Sequence, residues 1–296
     1  MFLLNILETG GVGGLAADTR PILSHLLKGY LIIMGMELEL SPRKAGFATL
    51  QRTSAGWRLE LMAGPPRTYS LAQLDNYARK PRNRLKHAPP WTFHVRARAS
   101  SIDLPGTWGF GLWNDPFGLS LGFGGGKPPR LPTLPQTAWF IHASPPNWLS
   151  LRDDPERTPV NGFIAGTFRS PRIPPFLFVP GLLALPLCAI RPISRFLRRL
   201  ASRIIHQDGA RVDLDVTQWH EYSIQWLQEG CEFSVDGAMV LHTSCSPVAP
   251  LGMVLWIDNQ FAAWTPEGRL RYGTLKNNDA WLEIEGLNGQ EEYKLF

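Results

Sequence analysis

Along Trp256–Gln260 every second residue carries chemistry: Trp256, Asp258 and Gln260 share one parity, while Met253, Leu255 and Ile257 share the other. A flat ring, a carboxylate and an amide on one strand face suit a polyhydroxylated ligand, which stacks on the first and hydrogen-bonds to the others. Trp113 and Asp115 are related in the same way, with Asn114 between them. His142 and Ser144 share parity on Thr137–Ser144, a run that also holds Trp139 and is followed by Asn147 and Trp148. His142 is the side chain of that run that titrates near neutrality. Asp115, Asp258 and His142 are therefore the candidate acid/base groups. Trp113, Asn114, Trp139, Asn147, Trp256, Gln260 and Gln73 are the candidate ligand contacts, Gln73 belonging to a compact polar cluster with Asp75 and Tyr77. Each has a plain structural alternative. Asp258 and Trp256 suit a buried polar pair, Asp115-Pro116-Phe117-Gly118 suits a turn, a lone histidine suits a hydrogen-bonded structural role, and most tryptophans suit a core.

The elements that must position these residues read as strands. In Trp219–Trp226, His220, Tyr222, Ile224 and Trp226 alternate with Glu221, Ser223 and Gln225, the period of a strand with one buried face. Trp57–Leu61 and Phe93–Ala99 alternate in the same way. Asp236-Gly237 between Glu232–Val235 and Ala238–Leu241 predicts a two-residue hairpin, because Gly accepts the positive φ of a type I′ turn. That hairpin sets Cys231 opposite His242 and leaves Cys245 three residues too far along for a bridge.

The order of these pieces resembles the concanavalin A-like lectin/glucanase superfamily, and within it the laminarinase-like family 16 glycoside hydrolases. The resemblance covers roughly Gln73 to Glu285. Its elements are Thr107–Asp115, the His220-x-Tyr222 strand, the Val235-Asp236-Gly237 hairpin and Leu255–Gln260. It implies an all-β jelly-roll sandwich of two antiparallel sheets with a concave groove. It also implies a catalytic Glu-x-Asp-x-x-Glu strand at Thr137–Ser144, and here the chain departs from the family: no Asp or Glu occurs between Asp115 and Asp153. Retaining hydrolysis needs two carboxylates about 5 Å apart across the scissile bond. The expectation is a groove that binds a saccharide or glycoconjugate without that mechanism. The rival is an enzyme with relocated acids, Asp115 and Asp258 assisted by His142.

The 296 residues suit one large sandwich with an insertion, and 28 Gly, 26 Pro and 11 Trp suit many strands joined by turns. Three cysteines do not make a disulfide framework. No Cys/His spacing resembles a zinc site, and neither a metal nor a cofactor is expected. Gly124-Gly125-Gly126 lacks the Lys-Ser/Thr of a phosphate loop. The formal charge of +5 gathers in Arg79–His87 and Arg191–Arg203, without the aromatic interleaving that nucleic-acid binding needs.

Residues 171–207 form an apolar, helical insertion. Pro174, Pro175, Pro180 and Pro186 break its first part against a spanning helix. Its second part sets Ile193, Phe196, Leu197, Leu200 and Ile204 on one face, with Arg191, Arg195, Arg198, Arg199 and Arg203 as candidate contacts to an anionic membrane surface. The same helix suits a packed surface element or a lid. Residues 1–36 read as an N-terminal extension before a domain at 37–296. Met1–Glu8 lacks a basic leader and does not read as a signal peptide, so cytoplasmic residence, peripheral at a membrane, is the expectation.

Overall fold

The computed structural model describes residues 40–291 apart from 66, 79, 117–129, 155–157 and 179–184. The N-terminal extension and the Gly124–Gly126 run lie outside the described residues.

Two seven-stranded sheets form an antiparallel jelly-roll sandwich. The first runs β1 (Ser41–Ala45), β4 (Leu71–Asp75), β13 (Gly252–Asp258), β6 (Thr107–Trp113), β7 (Thr137–Ala143), β8 (Gly162–Arg169) and β9 (His206–Arg211). The second runs β12 (Ala238–Thr243), β11 (Cys231–Val235), β10 (His220–Trp226), β5 (Trp91–Ala99), β16 (Ala280–Glu291), β3 (Gly56–Leu61) and β2 (Ala48–Arg52). A ribbon of β14 (Gln260–Trp264) and β15 (Leu270–Thr274) follows β13. Alternation decides what lies between the sheets. Phe93, Val95, Tyr222, Ile224 and Trp226 of the second sheet meet Trp108, Phe110, Phe140, Met253 and Leu255 of the first in one buried cluster. The Phe110 and Tyr222 ring centroids are 4.9 Å apart across the interface.

The hairpin forms at Asp236 (φ 50°) and Gly237 (φ 78°). Its register differs from expectation by one residue. A bulge between Phe233 and Ser234 sets Cys231 opposite Thr243, and Glu232 opposite His242. Cys231 and Cys245 are free thiols. His220 pins the turn, with Nδ1 2.6 Å from Asp236 Oδ2 and Nε2 3.1 Å from the Asp215 carbonyl.

The insertion places a helix, α1, at Arg191–Ile204, and β9 begins at His206, inside the span read as insertion. Its buried stripe is neither of the two stripes the sequence suggests. Ser194 and Arg198 face inward, while Phe196 is 65% and Leu200 43% exposed. Arg198, 1% exposed, donates to the carbonyls of Trp264 (2.8 Å), Ser150 (3.1 Å) and Arg152 (3.2 Å) and pairs with Asp153. Trp264 Nε1 donates to Ser194 Oγ at 2.9 Å. The expectation that Arg198 meets a membrane surface is thus corrected: a guanidinium fork with five donors fills a loop of carbonyl acceptors that would otherwise be buried unpaired. Arg191, Arg195, Arg199 and Arg203 lie on an exposed flank, Arg195 Nε donating to the Glu267 carbonyl at 3.0 Å.

Candidate functional site

The outer face of the first sheet carries the chemistry. Its cross-strand rows follow from the register. Trp256 lies opposite Gly109 and Gln73, Gly111 opposite Trp139 and Val254, Trp113 opposite Thr137 and Gly252, and Asp258 opposite Thr107 and Leu71. Each indole thus has a glycine beside it. A Cβ on Gly109 would come within 3.0 Å of the Trp256 ring, and one on Gly111 within 2.9 Å of Trp139 Cβ. With that room the three rings gather. Trp113 stacks on Trp256 at 6.2 Å and 3°, and Trp139 lies 5.7 Å from Trp256 and 6.1 Å from Trp113. Tyr77, Leu85, Ile141 and Val254 complete a second apolar cluster outside the sandwich interior.

At one end of this cluster is a polar group. Asp258 Oδ1 accepts from Thr107 Oγ1 at 2.8 Å and from the Gln260 backbone N–H at 3.3 Å, and Tyr69 Oη donates to Oδ2 at 3.5 Å. Trp256 Nε1 donates to the same Thr107 hydroxyl at 2.9 Å. Burial pushes the Asp258 carboxyl up to about 7, with the Thr107 and Gln260 hydrogen bonds working against it. Burial, and then the Asp258 charge, hold the Tyr69 phenol well above its ordinary value. Burial thus favours the protonated form of Asp258 well above the pH at which a free carboxyl ionises.

The other end is saturated by structural donors. Asp75 accepts from Gln73 Nε2 (2.7 Å), Arg43 Nη1 (3.4 Å) and the backbone N–H groups of Tyr77 (3.2 Å) and Ala78 (2.7 Å). Asp115, at φ 51°, leaves the strand and pairs with Arg130 at 3.1 Å. Arg82 donates to the carbonyls of Asn114 and Asp115 at 2.9 and 2.6 Å.

The register separates the acids. Asp258 opposes Thr107, and Asp115 lies beyond Trp113 at the far end of β6. Six steps of about 3.3 Å put those two rows roughly 20 Å apart. Asp75 opposes Val254, four steps or about 13 Å along β13 from Asp258. Either spacing exceeds the roughly 5 Å of a retaining pair and the roughly 6.5–9.5 Å of an inverting one. The outward positions of β7 are Thr137, Trp139, Ile141 and Ala143, none of them a carboxylate.

Several expected site residues stand elsewhere. His142 is not on this face: it has the parity of Ala138 and Phe140 and points to the sandwich interior. There it stacks on Trp108 at 5.5 Å, and burial pushes its imidazole down to about 4. The assignment of His142 as groove acid/base is corrected by that parity. Asn114 and Asn147 are buried loop staples. Asn114 accepts from the Gln136 N–H and donates to the Leu134 carbonyl, and Asn147 accepts from the Ala262 N–H and donates to the Ser144 carbonyl. Gln260 opens β14, half-buried beside Asp258. Tyr69 and Thr107 were missed by sequence reasoning. Thr107 was legible as the β6 residue facing Asp258 once the register is known, whereas nothing local to Tyr69, in a loop, marks it.

No family model and no curated protein matches the chain. Among solved structures it is similar to an endo-beta-1,4-glucuronan lyase from the fungus Trichoderma reesei, at 13% identity over 86% of this chain and 89% of that chain (TM-score 0.41). It is similar to a Bacillus licheniformis beta-glucanase at 10% identity over 87% and 95% of the two chains (TM-score 0.41). It is also similar to the binding domain of botulinum neurotoxin DC in complex with SialylT, at 7% identity over 86% of this chain and 43% of that one (TM-score 0.40). The fold assignment rests on the strand order and register above.

Proposed function

We propose that the outer face of the first sheet binds a saccharide or glycoconjugate and does not cut it by the two-carboxylate route. The observation that carries this reading is the row spacing. Asp258 is the one acid of that face with an elevated affinity for its proton, and no second carboxylate of the described sheet stands within working distance of it. Indole rings beside a protonatable acid, a tyrosine and Gln260 supply stacking and hydroxyl hydrogen bonds, the two needs of a sugar ligand. A glycan array read with wild type, Trp113→Ala and Trp281→Ala tests it. The expected result is binding that falls at least tenfold in Trp113→Ala and persists in Trp281→Ala, on the other sheet. No retained glycan, or equal binding by all three, would sink the reading.

A second reading rests on the exposed Ile190, Phe196 and Leu200 beside Arg191, Arg195, Arg199 and Arg203. An apolar stripe flanked by arginines suits the surface of an anionic bilayer, with the chain peripheral to it on the cytoplasmic side. No helix among the described residues is long and apolar enough to cross a membrane. In liposome flotation, Phe196→Glu/Leu200→Glu is expected to lose the anionic vesicles that the wild type binds. Equal flotation removes this reading.

A further inference from the structure

Between the edge strands β9 and β12 a cavity of ≈ 970 Å³ is lined by three arginines from three places in the chain: Arg152 in the loop after β7, Arg169 at the end of β8, and Arg172 beyond it. His206 and the Thr243–Cys245 turn complete the wall. The one acid of the lining, Asp208, accepts from the Gly209 N–H at 2.9 Å. The nearby Asp153 pairs with Arg198 of α1 instead. Among the described residues no ion pair involves Arg152, Arg169 or Arg172. Arg172 uses one donor, to the Ala249 carbonyl, which fixes one edge of its fork.

Three arginines and one carboxylate, Asp208, line the concavity, and the excess of positive charge sets up a potential that an anion would relieve. Arginine forks match the oxygens of phosphate, sulfate and carboxylate. A carboxylate presents two oxygens. A phosphate or sulfate ester presents three, the fuller match to a wall with three arginines, and Ser244 adds a hydroxyl there. We propose that this cleft binds a phosphate or sulfate ester. Arg169 and His206 oppose each other on the side of the sheet away from the tryptophan cluster, since they alternate with Phe168 and Gln207. The site is therefore independent of the saccharide reading and can stand or fall without it.

Titration calorimetry of the full chain with inorganic phosphate and with sulfate, at an ionic strength held constant with chloride, tests the proposal. The expected result is saturable, single-site heat that weakens at least tenfold in Arg169→Ala/Arg172→Ala. Ser244→Glu, which places a negative charge at the wall and keeps every arginine, is expected to show the same loss should the double variant misfold. Trp281→Ala binds as wild type. Phosphate and sulfate heats no larger than chloride, or both cleft variants within twofold of wild type, would overturn it. Two further arms locate the ester in the supported case. Pelleting with phosphatidylcholine vesicles containing a phosphoinositide, lost in Ser244→Glu, places it on a lipid. Binding of a sulfated but not an unsulfated oligosaccharide, lost in the same variant, places it on a sugar.

Discussion

The outer faces of the two sheets both display tryptophan, and they use it in opposite ways. On the first sheet Trp113 stacks on Trp256 and Trp139 packs tilted against both, beside glycines, with Asp258 at one end. On the second sheet the outward rings of Trp219 and Trp281 meet cations. Arg96 and Arg98 lie 4.7 and 4.8 Å from the Trp219 centroid, and Arg58 and Arg98 4.5 and 5.3 Å from Trp281. Glu283 bridges Arg58 and Arg98 at 2.7 Å each, and Glu285 holds Arg96 at 2.8 Å. That second face satisfies itself, its charges cancelling in a ladder of neighbours. The first keeps an acid poised near neutrality beside apolar rings, which is the composition of a recognition surface. Tryptophan number says little about function, and the partner of each ring says much.

The comparison breaks most easily at the glycines. Gly109→Ala would drive Cβ to 2.3 Å from the Phe140 carbonyl as well as into Trp256, so β6 and β7 must part. The expected outcome is a chain that fails to fold or loses about 3 kcal/mol or more in urea denaturation. Trp256→Ala is expected to cost about 3–5 kcal/mol, as a buried ring does, whereas Trp281→Ala, held by cation–π contacts at the surface, should cost about 1 kcal/mol. Equal costs would erase the distinction between the faces. On α1, Arg198→Ala leaves three carbonyls and Asp153 without their donor and should cost about 2–4 kcal/mol. Arg199→Ala on the exposed flank should stay within about 0.5 kcal/mol.

A pH dependence sharpens the account of Asp258. Asp258 keeps its proton in the fold up to about 7, while the unfolded chain releases it near 3.8. Between those values the native state binds more protons, so this group's contribution to stability falls as pH rises. His142 and His87, pushed down to about 4 from 6.5 by burial, act in the opposite sense, and their contribution falls as pH drops through that window. Asp258→Asn should therefore be more stable than wild type by about 1–3 kcal/mol above pH 7, with the gain vanishing near pH 4. Thermal melts across pH 4–8 read it directly, and a gain that is flat with pH would show that Asp258 ionises normally.

Much of this architecture was legible in the chain. Period-two alternation in Trp219–Trp226 and Phe93–Ala99 gave the buried faces, and Asp236-Gly237 gave the hairpin, because both are local. The order of the motifs implied the jelly roll. What escaped depends on registers and edges. The bulge at Phe233/Ser234 moved Cys231 by one partner. His142 shares its strand with Trp139, and parity alone could not say which of the two faces outward until the neighbours of β7 were fixed. The helix showed two stripes in sequence, yet its inner face is the narrow line of Ser194 and Arg198 between them, chosen by the carbonyls it had to satisfy. Asp115 and Asp258 look alike as strand-end acids, and only the register reveals that they stand at opposite ends of β6.

The central claim is that the first sheet's outer face holds a saccharide without cleaving it. Mass spectrometry of a bound oligosaccharide after prolonged incubation with the full chain tests it most directly. The account predicts a ligand recovered at its original mass, with binding lost in Trp113→Ala. Shorter products, whether gained by addition or by loss of water, that disappear in Asp258→Asn would contradict it.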